Sequence, residues 1–191
     1  MNGKHFILGG ALVLAAPAFA QAQKSMPAHS EKEMKADADV LKKLHKANRE
    51  EIELSQVAQR QSSRDEVKQF AKTMVDDHQM ADEKVMKMAE MHGMTLGEEP
   101  EAMKEAEKLG KKMGNDFDRE YLSKMVKGHE KVTSMVTGKM KDVSPELQTA
   151  LTDMLPTLRK HEMEAKQMLD QVKGSHEAQG RRSSEYDHQQ R

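Results

Sequence analysis

Apolar positions recur along this chain at helical spacing in four separate stretches, with polar residues on the intervening faces. The first stripe is Leu41, Leu44, Asn48, Glu51, Leu54 and Ala58. The second runs Val67, Phe70, Ala71, Met74, His78, Ala81, Val85 and Met88. The third is Phe117, Asp118, Tyr121, Met125, His129, Val132 and Val136. The fourth is Leu147, Leu151, Met154, Leu158, His161, Ala165, Met168 and Val172. Each stripe lies on one helix face, so the pattern predicts four long helices that bury those faces against one another. Ser63 with Glu66 suggests a capping box opening the second helix, and Gly93 suits a left-handed C-cap closing it. Gly114-Asn115-Asp116 caps the third. Pro145 opens the fourth, inside which Pro156 predicts a kink.

Two short turns and one longer connection join these helices. The connection holds a short extra helix from Pro100 to about Met113. The expected fold is all-α, an antiparallel up-down-up-down four-helix bundle over residues 36–173. Residues 21–35 and the tail 174–191 lack periodicity and are expected to be disordered. Composition supports helices over sheets. Ala, Leu, Met, Glu, Lys and Gln abound, whereas Phe, Tyr and Trp number four, two and none.

The first 20 residues read as an address. Lys4 is followed by an apolar run from Phe6 to Ala16, too short for the ~20 residues that span a bilayer. Ala18-Phe19-Ala20 then gives the small-x-small pattern of a signal-peptidase site, with cleavage after Ala20. The mature chain has no transmembrane segment and no Cys, hence no lipobox, disulfide or thiolate ligand. A periplasmic or secreted product is expected, with peripheral outer-membrane association as a third location. A net charge of −1 leaves no electrostatic footprint for nucleic acid. No Gly-rich phosphate loop or serine elbow is present, so nothing supports a nucleotide site or hydrolase triad.

Polar residues inside the stripes carry the candidate chemistry. His78, His129 and His161 each lie on an otherwise apolar face, Glu51 does so on the first helix, and Asp77 adjoins His78. At ~1.5 Å per residue, Glu51 and His78 stand about 17 and 21 Å from the turn at 62–64. His129 and His161 stand about 20 and 27 Å from the turn at 142–144. Up-down-up-down order puts both turns at one end, so the four groups share a level near mid-bundle. Buried polar groups need partners, which leaves two readings. One is a hydrogen-bonded core network in which Asp77, Asp118, Glu51 or Tyr121 satisfies the imidazoles. The other is a site for one transition-metal ion (Zn, Fe or Cu), with His78, His129, His161, Glu51 and Asp77 as ligands and Asp118 and Tyr121 outside them. The paired Glu-x-x-His motifs of di-iron bundles are absent from the helices; the one such spacing, Glu185 to His188, is in the tail. A soft-metal alternative is Met88, Met91 and His92, at i, i+3 and i+4 in a chain with 17 Met residues. Gap filling by a flexible side chain accounts for the methionines equally well.

Asp76-Asp77-His78 closing the run from Val67, then Phe117-Asp118-Arg119-Glu120-Tyr121 followed by His129, then Leu155-Pro156 leading to His161, form a recognisable series. It resembles the exported bacterial domain-of-unknown-function family 4142 (DUF4142), whose members are often labelled outer membrane proteins. The likeness extends over about Ala38 to Val172. The resemblance implies a ferritin-like bundle in the cell envelope and carries over to Glu51, Asp77, His78, Asp118, Tyr121, His129 and His161. It brings no settled activity. Leu96-Gly97 stands where the family has Leu-Pro, and the Met/His cluster at 86–94 is not a family feature. The functional expectation is a non-enzymatic binding or stress-related envelope protein. The rivals are a ferritin-like metal-dependent oxidase or peroxide-consuming enzyme and a chaperone-like or copper-binding Met-rich module.

Overall fold

A computed structural model describes residues 29–189, with side chains described through residue 174. The expected signal peptide lies outside the described residues, as do residues 21–28 of the expected lead. Among those described, the chain is all-helical with no strand: α1 (Glu31–Gln61), α2 (Asp65–Met91), α3 (Pro100–Gly110), α4 (Gly114–Lys139) and α5 (Pro145–Gln189).

Helix ends follow local chemistry. Ser30 Oγ accepts from the Glu33 amide, and the Glu33 carboxylate accepts from the Ser30 amide at 2.8 Å. This reciprocal cap starts α1 at Glu31, so the stretch from there to Lys35 is helical rather than disordered. The Ser63–Glu66 box does not form. Arg64 precedes α2 without a side-chain cap, and the buried Ser62 hydroxyl bonds the Arg64 amide and carbonyl across the turn. Gly93 has φ +68°, the left-handed conformation expected after α2. At the other end of the chain, α5 is helical on both sides of Pro156 and continues to Gln189. The helix thus runs past Gly174, where the apolar periodicity ends. Extending an existing helix avoids the nucleation cost, and Glu, Ala, Gln and Arg sustain it.

The long helices pack as α1 on α2, α4 on α5, and α1 on α4, with a thinner α2–α5 contact. Two apolar layers reveal their directions. One layer joins Leu54 and Ala58 of α1, Val67 and Phe70 of α2, Phe117 and Tyr121 of α4, and Ala165 and Leu169 of α5. The other joins Leu41 and Leu44, Val85 and Ala89, Val132 and Val136, and Leu147 and Leu151. The late part of α1 thus meets the early parts of α2 and α4 and the late part of α5. Helices α1 and α5 run one way, and α2 and α4 the other.

The up-down-up-down order is therefore corrected to up-down-down-up. The reason is α3, which buries Ala102, Ala106 and Leu109 and packs along α1. Leu96 lies against one apolar layer, while Ala106 and Leu109 belong to the opposite one. At the far end Gln61 Nε2 donates to the carbonyls of Gly110, at 3.0 Å, and of Lys112. The connection is a packed crossover that carries the chain from one end of the helices to the other. As a result, the turns at 62–64 and 140–144 lie at opposite ends.

Candidate metal centre

Between the two apolar layers lies a polar level. Asn48 and Glu51 of α1, His78 of α2, His129 of α4 and His161 of α5 are all buried there. The three imidazoles converge. Ring centroids lie 5.4 Å apart for His78–His129, 5.6 Å for His78–His161 and 5.3 Å for His129–His161.

Each ring has one nitrogen engaged by a different neighbour. His78 Nδ1 faces Asn48 Oδ1 at 3.0 Å, His129 Nδ1 donates to the Met125 carbonyl at 2.8 Å, and His161 Nε2 donates to Asp77 Oδ2 at 2.9 Å. A nitrogen that donates carries the proton in a neutral imidazole and leaves a lone pair on the other. Those other atoms are His78 Nε2, His129 Nε2 and His161 Nδ1. All three are buried and make no hydrogen bond among the described residues. One ligand atom from each of the three histidines lies within 4.8 Å of the others. The N···N edge of a tetrahedral site with ~2.0–2.1 Å bonds is ~3.3–3.4 Å, so small side-chain rotations would close the set.

Glu51 is the acid of this level. Its Oε2 lies 3.0 Å from His78 Nε2, and its Oε1 lies 3.3 Å from His129 Nδ1. Burial opposes its ionisation, yet His78, His129 and His161 together hold its carboxyl below the ordinary glutamate value. His161 is pushed down to about 4, first by burial and then by His78 and His129, against the pull of Asp77. A neutral imidazole is the form that binds a metal.

The structure thus gathers Glu51, His78, His129 and His161, and gives Asp77 another task. Its side chain is partly exposed and holds His161 from outside. Asp118 and Tyr121 sit elsewhere. Asp118 is fully buried by the α1–α2 turn, with Oδ2 3.8 Å from Arg64 Nε, and burial raises its pKa. The Tyr121 hydroxyl is 2.9 Å from Ser55 Oγ, and its ring stacks on Phe117. The outer partners missing from the sequence reading are Asn48 and the Met125 carbonyl. Both had a signal: Asn48 precedes Glu51 by three positions in the same stripe, and Met125 precedes His129 by one helical turn. Also unforeseen is a buried tie in which His45 Nδ1 lies 2.8 Å from Asp82 Oδ1 and Nε2 lies 2.7 Å from the Gly97 carbonyl. It fastens the start of the crossover to α1 and α2.

The soft-donor residues have different surroundings. Met91 is exposed, Met88 packs against an apolar layer, and His92 turns toward Asp37, 3.4 Å away.

The sequence model of one family, a domain of unknown function (DUF4142), matches residues 20–168. The chain belongs to the DUF4142 family. The match takes in the whole polar level of this DUF4142 protein, from Asn48 to His161. No curated protein and no solved structure matches the chain. What the level does must therefore be argued from its own chemistry.

Proposed function

We propose that this DUF4142 protein is an exported, non-enzymatic envelope protein that binds one transition-metal ion inside a ferritin-like four-helix bundle. His78, His129 and His161 are the ligands, and Glu51 is the carboxylate of the set. The observation that carries this reading is the convergence of one nitrogen from each of three buried imidazoles within 4.8 Å, with His129 Nε2 and His161 Nδ1 left without hydrogen bonds while the opposite nitrogens are held. In a purely hydrogen-bonded core these atoms would find donors, because a buried unsatisfied nitrogen costs about 1–3 kcal/mol. Imidazole and carboxylate donors suit zinc, iron or copper, and such an ion would supply Lewis acidity at whatever position the protein leaves open. The chain's own work is to orient: Asn48, Met125 and Asp77 fix the rings, and the apolar layers above and below exclude water.

The bundle assignment rests on four long helices packed side by side with one crossover, the connectivity of ferritin-like folds. Export rests on Lys4, the apolar run and Ala18-Phe19-Ala20. Among the described residues no helix is long and apolar enough to cross a membrane. A di-metal oxidase has less support, because one carboxylate, Glu51, stands among three imidazoles. Protein purified from the envelope fraction should begin at Gln21 and carry about one metal ion per chain, with His129→Ala nearly metal-free. Equal, negligible metal in both proteins would overturn the binding reading, and a retained Met1 would overturn export.

A further inference from the structure

A groove of about 410 Å³ opens between α1 and α4, directly outside Glu51. Five lysines line it (Lys43, Lys46, Lys124, Lys127 and Lys131), against only two acids, Glu50 and Glu51. Lys124 bonds Glu105 of α3 at 3.0 Å, whereas the other four form no ion pair among the described residues. The lining of this groove therefore carries more positive than negative side chains, on both the α1 and the α4 wall. The opposite groove, between α2 and α5, differs in character. It carries Asp77 and Asp153 with Lys84 in an otherwise largely apolar lining.

At the floor of the α1–α4 groove, Glu51 meets Gly128. A Cβ at Gly128 would fall 2.5 Å from Glu51 Oε1, so the absent side chain is what lets the carboxylate lie against α4. Oε1 is buried and accepts no hydrogen bond among the described residues. The groove therefore ends on a carboxylate whose other oxygen, Oε2, is 3.0 Å from His78 Nε2.

We propose that this groove binds a small multivalent oxyanion and presents it to the Glu51 side of the metal centre. The inference rests on the metal-binding reading. Three neutral imidazoles and one carboxylate bring a single negative charge to a divalent ion, so the loaded centre keeps a positive charge. Lysines on both walls of the groove concentrate anions, and a bound anion would supply the negative charge that the loaded centre lacks. Glu51, between the groove and the rings, is the group that an arriving anion would meet or displace.

Inorganic phosphate is the probe. Wild type and Lys43→Gln/Lys127→Gln/Lys131→Gln, each in metal-free and cobalt-loaded form, are titrated by calorimetry. Cobalt uptake is read separately from the visible spectrum. The expected result is saturable phosphate binding by cobalt-loaded wild type that weakens with added salt, and at least about tenfold weaker binding by the variant, with cobalt uptake unchanged. No phosphate binding by the cobalt-loaded wild type, or equal binding by both proteins, overturns the proposal. If cobalt fails to load, the metal reading falls by itself. The metal-free titration then decides the groove: lysine-dependent phosphate binding sustains it, and none removes it.

Discussion

At the scale of single residues, the centre is a problem of space and proton placement. Gly128 leaves room for Glu51, and Asn48, Met125 and Asp77 each fix one ring. Gly128→Ala puts a methyl 2.5 Å from Glu51 Oε1, so the carboxylate must give up its place beside His78 and His129. Overpacking of this kind costs about 1–3 kcal/mol. Although alanine favours a helix over glycine by ~1 kcal/mol, the variant should unfold at lower denaturant concentration and bind metal more weakly. A midpoint equal to or above that of wild type would show that the carboxylate moves freely. The inward histidines and Glu51 were legible because each interrupts an apolar stripe. Their outer partners were less so, since a backbone carbonyl or an amide leaves no charge in the pattern. Asp118 and Tyr121 share the third stripe with His129 but lie two to three turns nearer the start of α4. There a turn arginine and Ser55 claim them.

At the scale of elements, the four stripes gave the long helices, and the error fell on how they are joined. Nothing in a stripe records the direction of its helix. That depends on α3, an 11-residue segment whose Ala102, Ala106 and Leu109 form a face against α1. Read as a short helix within a connection, it implied neighbours joined end to end; as a packed crossover, it reverses α4 and α5. The expected common level survived because His129 and His161 lie far enough from their turn that measuring from either end returns them to the middle. The same element makes a prediction. Leu109 is 1% exposed and joins the apolar layer nearest the α1–α2 turn. Leu109→Ala should lose about 2–4 kcal/mol in chemical denaturation, the cost of a buried core leucine. A loss under about 1 kcal/mol would mean that the crossover is a loosely held strap.

At the scale of the whole molecule, two apolar layers enclose one polar level, and this division separates stability from chemistry. The layers account for a cysteine-free chain that holds together by helix packing. The level between them brings residues from all four long helices to one place, so a ligand that bridges the three histidines would fasten α2, α4 and α5 together. The thin α2–α5 contact is where such a bridge would matter most, and there His161 already reaches Asp77 across the gap. The lysine-rimmed groove and the more acidic α2–α5 groove give the level two approaches of different charge.

Zinc titration of the metal-free protein, followed by X-ray absorption of the loaded form, tests the convergence of these imidazoles most directly. One equivalent should bind, with imidazole scattering from three histidines at ~2.0–2.1 Å, and the His78→Ala/His129→Ala/His161→Ala protein should bind none there. Zinc surrounded only by water and carboxylate oxygens, or bound equally by the triple variant, would contradict it.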